Sequence, residues 1–127
     1  MKEVEKDIPL TKEDIEKIKN ILKTMKFYDF KINRHYWIEG IKDWPRHGVE
    51  LEKIKNIFNK TELITMAFKR NSEKGFCYTL HYKLTEFSYI KICYFFDKEP
   101  IEIFNAILID RNLDKAVLEK YQINLNE

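Results

Sequence analysis

The sequence lacks most of the patterns that assign a function directly. It has no Cys-x-x-Cys or His-x-x-x-His motif, and its three histidines are far apart, so the spacing of a metal site is missing. No apolar run approaches the roughly 18 residues of a membrane span, and the charged N-terminus has no apolar stretch of the kind found in secretory signals. We therefore expect a soluble cytoplasmic protein with no metal, no cofactor and no membrane partner.

Cysteine and net charge are also scarce. Cys77 and Cys93 fall on strands that are predicted to be neighbours; buried or half-buried thiols are expected there, and a cross-strand disulfide stays open as an alternative. The 23 basic and 21 acidic residues leave a net charge of +2. This balance argues against a polyanion-binding tail, but it allows a modest basic patch.

The large apolar residues are concentrated between Glu62 and Asp110, where the spacing predicts four strands. Alternate residues from Phe76 to Leu84 are apolar, and the pattern repeats from Tyr89 to Asp97. Residues 101–110 are more apolar throughout, which suits a central strand covered on both faces. The links between these strands are too short for crossover helices, so we predict an antiparallel meander.

Along the chain, helices are predicted before and after the meander. Thr11 is the expected N-cap of a first helix, whose inner stripe is Ile15, Ile18, Leu22 and Met25. Further helices are predicted at Asn33–Ile41, at Val49–Asn59 and from Asn112 or Asp114 to Tyr121, while Phe27–Ile32 is either a short strand or an aromatic connection. The predicted fold is α+β: one domain over residues 1–127, with N-terminal helices on an antiparallel four-stranded meander and a short C-terminal helix. Residues 1–10 and 122–127 are expected to be flexible.

This order of elements and three short motifs resemble the small RelE-like domains over about residues 32–110. The motifs are His35, the Arg-His-Gly-Val step at residues 46–49 into a helix, and strands of the type Tyr-Thr-Leu-His-Tyr-Lys and Ile-Lys-Ile-Cys-Tyr-Phe. RelE-like proteins include toxins of toxin–antitoxin pairs. The resemblance thus implies a metal-independent endoribonuclease with its active site on the open face of the sheet. The chain departs from the pattern at Glu39, where an arginine is expected, and in a longer spacing from the histidine to the glycine.

The chemistry of RNA cleavage indicates which residues to consider. A 2′-hydroxyl must lose a proton, the leaving 5′-oxygen must gain one, and cations must stabilise the phosphorane. Histidine suits either proton transfer near neutral pH, and aromatic side chains commonly stack on unpaired bases. The predicted catalytic residues are His81, Lys83, Lys91 and Arg70, and the predicted RNA contacts are Lys69, Tyr82, His35 and Arg46.

Each of these residues also has a structural explanation, so the sequence leaves open whether the protein is an enzyme. His81 can be an ordinary sheet histidine, and outward lysines discourage pairing at sheet edges. The alternative function is a non-enzymatic module that binds a protein or RNA through the same surface. RNA, an antitoxin-like protein and a second copy of the chain are the expected partners. If the first helix covers the polar face of the sheet, no site is available on that face.

Overall fold

The computed structural model describes residues 7–73 and 75–110, which form an α+β fold with two α-helices and one six-stranded mixed sheet. The helices are α1 (Lys12–Thr24) and α2 (Leu51–Ile57), and 3-10 turns lie at Phe27–Asp29, Arg34–Tyr36 and Thr61–Leu63. The strands are β1 (Ile8–Pro9), β2 (Lys31–Ile32), β3 (Ile64–Ser72), β4 (Gly75–Thr85), β5 (Ser88–Phe95) and β6 (Glu102–Ile109), in the spatial order β1-β3-β4-β5-β6-β2. The predicted α+β class is confirmed.

The sheet is larger than the predicted four-stranded meander. Strands β3 to β6 are consecutive antiparallel neighbours, but β1 adds to β3, and β2 adds to β6 in the parallel direction. Both edge strands are two residues long, which is too short for a period-two pattern. The segment Phe27–Ile32, predicted as either a short strand or an aromatic connection, contains a 3-10 turn followed by β2. The apolar strand β6 is internal because β5 and β2 flank it.

Helix α1 begins and faces the core as predicted. Thr11 is its N-cap, and the Thr11 Oγ1 accepts a hydrogen bond from the N–H of Asp14 at 3.1 Å. Ile18 and Leu22 are buried on the inner stripe. The capped, amphipathic helix thereby contributes one apolar stripe to the core of the domain.

The main core lies between one face of the sheet and the two α-helices. Leu80 and Tyr82 of β4 point into it together with Ile92 and Tyr94 of β5, as the period-two pattern predicts. Ile54 of α2 closes the same cluster. Burying a side chain of this size contributes roughly 1.5–3 kcal/mol, so this layer supplies much of the stability of the fold.

The opposite face of the sheet differs from the open surface that the sequence suggests. Met66, Phe68 and Phe95 are buried on it, and so are His81 and Cys93. Both α-helices contribute to the core on the other face, so they do not account for the burial of His81 and Cys93. The remaining polar-register residues are half-buried, namely Cys77, Thr79, Lys83 and Lys91. A period-two pattern assigns residues to faces, but it does not show which face is solvated.

Residues 33–46 form a turn and a chain reversal instead of the predicted helix at Asn33–Ile41. The side chain of Asn33 does act as a cap, but the helical segment ends after a single 3-10 turn. Ile38 then donates its N–H to the carbonyl of Trp44 at 2.8 Å. Gly40 lies inside this reversal with a φ of 83°, a conformation that glycine adopts without strain.

Two further helix predictions have different outcomes. Helix α2 is shorter than the predicted Val49–Asn59 but keeps its inward residues Ile54 and Ile57. The predicted C-terminal helix, the expected flexible tail and residues 1–6 lie outside the described residues. Residues 7–10 were also expected to be flexible, but Ile8 and Pro9 pair with β3 and Asp7 accepts two hydrogen bonds from Arg70. Among the helices of the described ranges, none is long and apolar enough to cross a membrane.

Two buried tyrosines tie α2 to the middle of the sheet. The hydroxyl of Tyr82 donates to the carbonyl of Phe58, the C-cap of α2, at 2.8 Å, and it lies 2.8 Å from the hydroxyl of Tyr94. A phenol has one hydrogen to donate, so the Tyr94 hydroxyl must be the donor to Tyr82. Burial raises the pKa of both phenols, which keeps both hydrogens in place. The result is a directional chain of hydrogen bonds from Tyr94 through Tyr82 to Phe58.

This direction predicts unequal costs for two matched substitutions. Tyr82→Phe leaves the Tyr94 O–H and the Phe58 carbonyl without these partners, and should lower the free energy of unfolding by about 2 kcal/mol. Tyr94→Phe removes a donor but keeps the bond from Tyr82 to Phe58, and should cost about 1 kcal/mol or less. Urea denaturation of both variants measures the difference. Equal costs, or a larger cost for Tyr94→Phe, would contradict the donor direction.

Candidate functional site

A cleft of about 720 Å³ opens along the edge strand β2. Its basic lining residues are Lys31, Arg34, His35 and Arg46, and the carboxylates of Glu39 and Glu102 and the indole of Trp37 also line it. The volume lies within the usual range for ligand sites in proteins. The cleft is therefore large enough for a nucleotide-sized group, and its lining is rich in positive charge.

The parallel pairing of β2 with β6 positions one wall of this cleft. Lys31 donates its N–H to the carbonyl of Ile101 at 3.0 Å, and Asn33 donates to the carbonyl of Ile103 at 2.8 Å. The Oδ1 of Asn33 then accepts a hydrogen bond from the N–H of His35 at 2.8 Å. The basic side chains of this segment thus project from a backbone that is fixed against β6.

Arg46 ties the following loop to the same turn. Its Nε donates to the carbonyl of His35 at 3.1 Å, and its Nη2 donates to the carbonyl of Trp37 at 3.3 Å. Its backbone N–H donates to the carbonyl of Tyr36 at 2.7 Å. The guanidinium therefore braces the turn and at the same time holds a fixed positive charge beside His35.

The imidazole of His35 is exposed and has a defined orientation. Its ring stacks on Phe104, with ring centroids 4.4 Å apart and planes 12° apart. Phe104 in turn packs edge-on against Phe95, at a centroid distance of 5.4 Å. An exposed imidazole on an aromatic support can transfer a proton to or from a ligand in the cleft.

The two carboxylates of the cleft have different environments. Glu102 accepts a hydrogen bond from Lys98 Nζ at 3.0 Å, and its side chain is only 5% exposed. Glu39 is exposed to solvent. Within the described ranges, no group of three or more His, Cys, Asp and Glu side chains is placed to hold a metal ion. The available ionisable groups of the cleft are thus three permanent cations, one imidazole and the carboxylate of Glu39.

A second cavity of about 530 Å³ shares Trp37 with the cleft. Its charged lining residues are all acidic, namely Asp43, Glu50 and Glu52, and Trp44 completes an aromatic wall. Carboxylates repel phosphate groups, so a polyanion that approaches this side of the molecule is directed to the first cleft.

The predicted RNA contacts divide into two groups. His35 and Arg46 come together in the cleft. Tyr82 is fully buried under the helices, so it is not available to stack on a base. Lys69 lies on β3, where its Nζ is 5.2 Å from the centroid of the Phe76 ring, and it does not line the cleft.

None of the four predicted catalytic residues lines the cleft. His81 is 6% exposed and faces Lys91 across the β4–β5 pairing. Lys83 is half-buried, and its Nζ lies 5.9 Å from the ring centroid of Tyr89, its cross-strand neighbour. Arg70 binds Asp7 through two hydrogen bonds of 2.9 and 3.1 Å. The structure therefore does not bring them together as an open phosphate site.

The environment of His81 also makes it a poor acid. Burial, and then the positive charge of Lys91, lower its pKa from 6.5 to about 4. The imidazole is consequently neutral near pH 7 and has no proton to give to a leaving group. Its Nδ1 has no hydrogen-bond partner in the described part of the chain.

Sequence reasoning missed the contribution of Lys31 and Glu39 to the site. Lys31 belongs to no motif, and Glu39 stands out only as a departure from the RelE-like pattern. Each comes into the cleft through tertiary structure: Lys31 through the β2–β6 pairing and Glu39 through the chain reversal after residue 37. The sequence signal for this part of the cleft was Asn33-Arg34-His35, a capping residue followed by two basic residues, which indicates a capped turn with positive charge.

No protein-family model matches this sequence, and it has no significant match among curated proteins or solved structures. The RelE-like resemblance consequently stays a prediction based on short motifs. The function of the cleft has to be inferred from its own chemistry.

The pKa of His81 predicts a specific dependence of stability on pH. Because the folded-state pKa of about 4 lies below the unfolded value of 6.5, the unfolded chain takes up this proton first as the pH falls. The contribution of neutral His81 to the free energy of unfolding is therefore fully present above about pH 6.5 and is lost as the pH falls towards 4. At pH 5 the free energy of unfolding should be about 2 kcal/mol lower than at pH 7. His81→Gln should remove this loss in urea denaturation at pH 7 and pH 5.

The matched control is His47→Gln, which changes an exposed histidine and should keep the pH dependence of the wild type. If the wild type and His81→Gln lost the same free energy between the two pH values, His81 would not be buried in its neutral form.

Proposed function

We propose that the protein binds single-stranded RNA in the cleft along β2 and cleaves it by general acid–base catalysis, as an endoribonuclease of RelE-like type. The observation that supports this proposal is the convergence of Lys31, Arg34 and Arg46 with the exposed imidazole of His35 in one cleft. Permanent cations attract phosphates, and an imidazole changes charge near neutral pH. The cleft thus holds the groups that RNA cleavage requires.

The three cations have different parts in the proposed binding. Two nitrogens of the Arg46 guanidinium are engaged by backbone carbonyls, so this residue contributes mainly charge and the shape of the turn. Arg34 and Lys31 are exposed. An arginine can bind a phosphate through two parallel hydrogen bonds, and a lysine acts as a point charge. We assign the scissile phosphate to Arg34 and a neighbouring phosphate to Lys31.

Glu39 and His35 are the proposed proton-transfer pair. The carboxylate of Glu39 takes the proton of the 2′-hydroxyl, whose oxygen attacks the adjacent phosphorus. Protonated His35 gives its proton to the 5′-oxygen as the bond from phosphorus to that oxygen breaks. Arg34 stabilises the charge of the pentacovalent intermediate. The products are a 2′,3′-cyclic phosphate and a 5′-hydroxyl end.

The second candidate is a non-enzymatic RNA-binding module that uses the same cleft. It is favoured by Glu39, which stands where the RelE-like resemblance implies an arginine. In this case Trp37, which is half-buried and borders both cavities, would stack on a base, and no bond would be broken. An antitoxin-like partner and a homodimer stay predictions of the resemblance and of the sequence.

Cleavage of a fluorophore-labelled, mixed-sequence RNA in the presence of EDTA tests the proposal. The wild type should produce fragments with 2′,3′-cyclic phosphate ends. His35→Ala and Glu39→Gln should each lower the rate about a hundredfold or more, because each removes one proton-transfer group. His47→Ala is the matched control, since this exposed histidine does not line the cleft, and it should cleave at the wild-type rate.

Loss of cleavage in His47→Ala, or full activity in His35→Ala, would overturn the assignment of the site. If the wild type does not cleave but binds RNA, and binding falls in Arg34→Gln, the cleft belongs to a binding module instead of an enzyme.

The salt dependence of binding tests the phosphate contacts separately from catalysis. The logarithm of the RNA affinity should fall linearly with the logarithm of the salt concentration, and Arg34→Gln should reduce this slope by about 0.7. Fluorescence polarisation with a labelled RNA measures both slopes. Lys53→Gln, which removes an exposed charge of α2 outside the cleft, should leave the slope unchanged. The same reduction in both variants would indicate non-specific attraction.

A further inference from the structure

Cys77 and Cys93 form a pair of thiols on the sheet face opposite the α-helices. In the register of β4 and β5, Cys93 lies opposite Thr79, so Cys77 is its diagonal neighbour on the same face. Both cysteines are free, and their side chains are hydrogen-bonded to each other. Cys77 is half-buried and Cys93 is buried. Cys77 is thus the more exposed thiol of a diagonal pair, and Cys93 is the buried one.

One cationic residue adjoins the more exposed thiol, and a second lies beside its partner. Arg70, whose guanidinium also binds Asp7, is the direct cross-strand neighbour of Cys77 in the β3–β4 pairing. Lys91 lies two residues from Cys93 on β5 and pairs with His81. The hydrogen bond from Cys93 is the largest influence and lowers the pKa of Cys77, while burial raises it. The charges of Arg70 and Lys91 lower the pKa further, and the weaker influence of the Asp7 carboxylate raises it. The pKa of Cys93 is raised by the same hydrogen bond and by burial. Of the two thiols, Cys77 is therefore the one that loses its proton more readily, and Cys93 is the donor of the hydrogen bond between them.

We propose that Cys77 is a site of oxidation by peroxides and that Cys93 converts the oxidised Cys77 into an intramolecular disulfide. An accessible thiolate next to cations, with a second thiol in contact, is the arrangement that oxidation-sensitive cysteines require. This inference is independent of the RNA cleft, because neither cysteine lines it.

The proposed reaction has two steps. The Cys77 thiolate attacks one oxygen of hydrogen peroxide, the O–O bond breaks, and the released hydroxide takes up a proton to form water. Cys77 is then a sulfenic acid. The sulfur of Cys93 attacks the Cys77 sulfur, the S–O bond breaks, and a second water leaves with the proton of Cys93. The two thiols together lose two electrons, which reduce the peroxide to two waters.

Mass spectrometry of the full chain after treatment with hydrogen peroxide tests the proposal. The wild type should lose two hydrogens, about 2 Da, and proteolysis should yield one peptide pair joined through Cys77 and Cys93. Cys93→Ser should stop at the sulfenic acid, which dimedone traps on Cys77. Cys77→Ser should react about tenfold or more slowly, because the remaining thiol is buried and protonated.

Charge controls separate the role of Arg70 from general effects on the sheet. Arg70→Gln should slow the oxidation of Cys77, whereas Lys69→Gln, one residue earlier on the opposite face, should not. Circular dichroism verifies that each variant is folded, and Cys93→Ala replaces Cys93→Ser if serine disrupts the sheet. Wild-type rates in Cys77→Ser, a disulfide between two chains, or two unchanged thiols would each overturn the proposal.

Discussion

The backbone pairing of β2 with β6 is the contact on which the candidate site depends. It is short: each strand contributes two register positions, Lys31 opposite Glu102 and Ile32 opposite Ile103. A few hydrogen bonds worth about 1 kcal/mol each would not hold such a segment alone. Phe30, just before β2, is buried and packs against Phe58 and Tyr94 at centroid distances of 5.2 and 5.8 Å. The aromatic core thus anchors the strand that carries the site.

This arrangement explains why a polar, exposed cleft has defined geometry. After β2, the chain enters a turn capped by Asn33, and the imidazole of His35 stacks on the ring of Phe104 of β6. Arg46 then binds the carbonyls on either side of Tyr36, whose buried hydroxyl donates to the carbonyl of Val49. The side chains of His35 and Arg46 are consequently supported by contacts to the folded chain, and Lys31 and Arg34 project from the backbone that β2 and the Asn33 cap hold in place. In a site built this way, the charged groups are held in fixed orientations before a ligand binds.

The sequence was sufficient for the elements with a repeating pattern. Period two identified β4 and β5 and the core face with Leu80 and Tyr82, the continuous apolar run identified β6, and the stripe from Ile15 to Met25 identified α1. The two-residue strands β1 and β2 have no period to detect. The burial of the second sheet face was also not predictable, because alternation separates two faces without indicating the environment of either.

Because local patterns do not show burial or tertiary contacts, the sequence predicted only part of the candidate site. His81 and Lys91 fall on the polar register and were therefore natural candidates, but burial leaves His81 neutral. His35 and Arg46 were identified through local motifs, and local structure holds them together in the cleft. Lys31 and Glu39 could not be found in the same way, since their place in the cleft follows from a parallel strand pairing and a chain reversal that local patterns do not encode.

The most direct test of this account is an NMR titration of the three histidine side chains with a 2′-O-methylated RNA that cannot be cleaved. The sequence has one histidine in the cleft, one exposed histidine outside it and one buried in the sheet, and single substitutions assign their imidazole signals. The account predicts that the signals of His35 shift as RNA is added, while those of His47 and His81 do not. Shifts of His81 with His35 unchanged would place the binding site on the sheet and contradict the account.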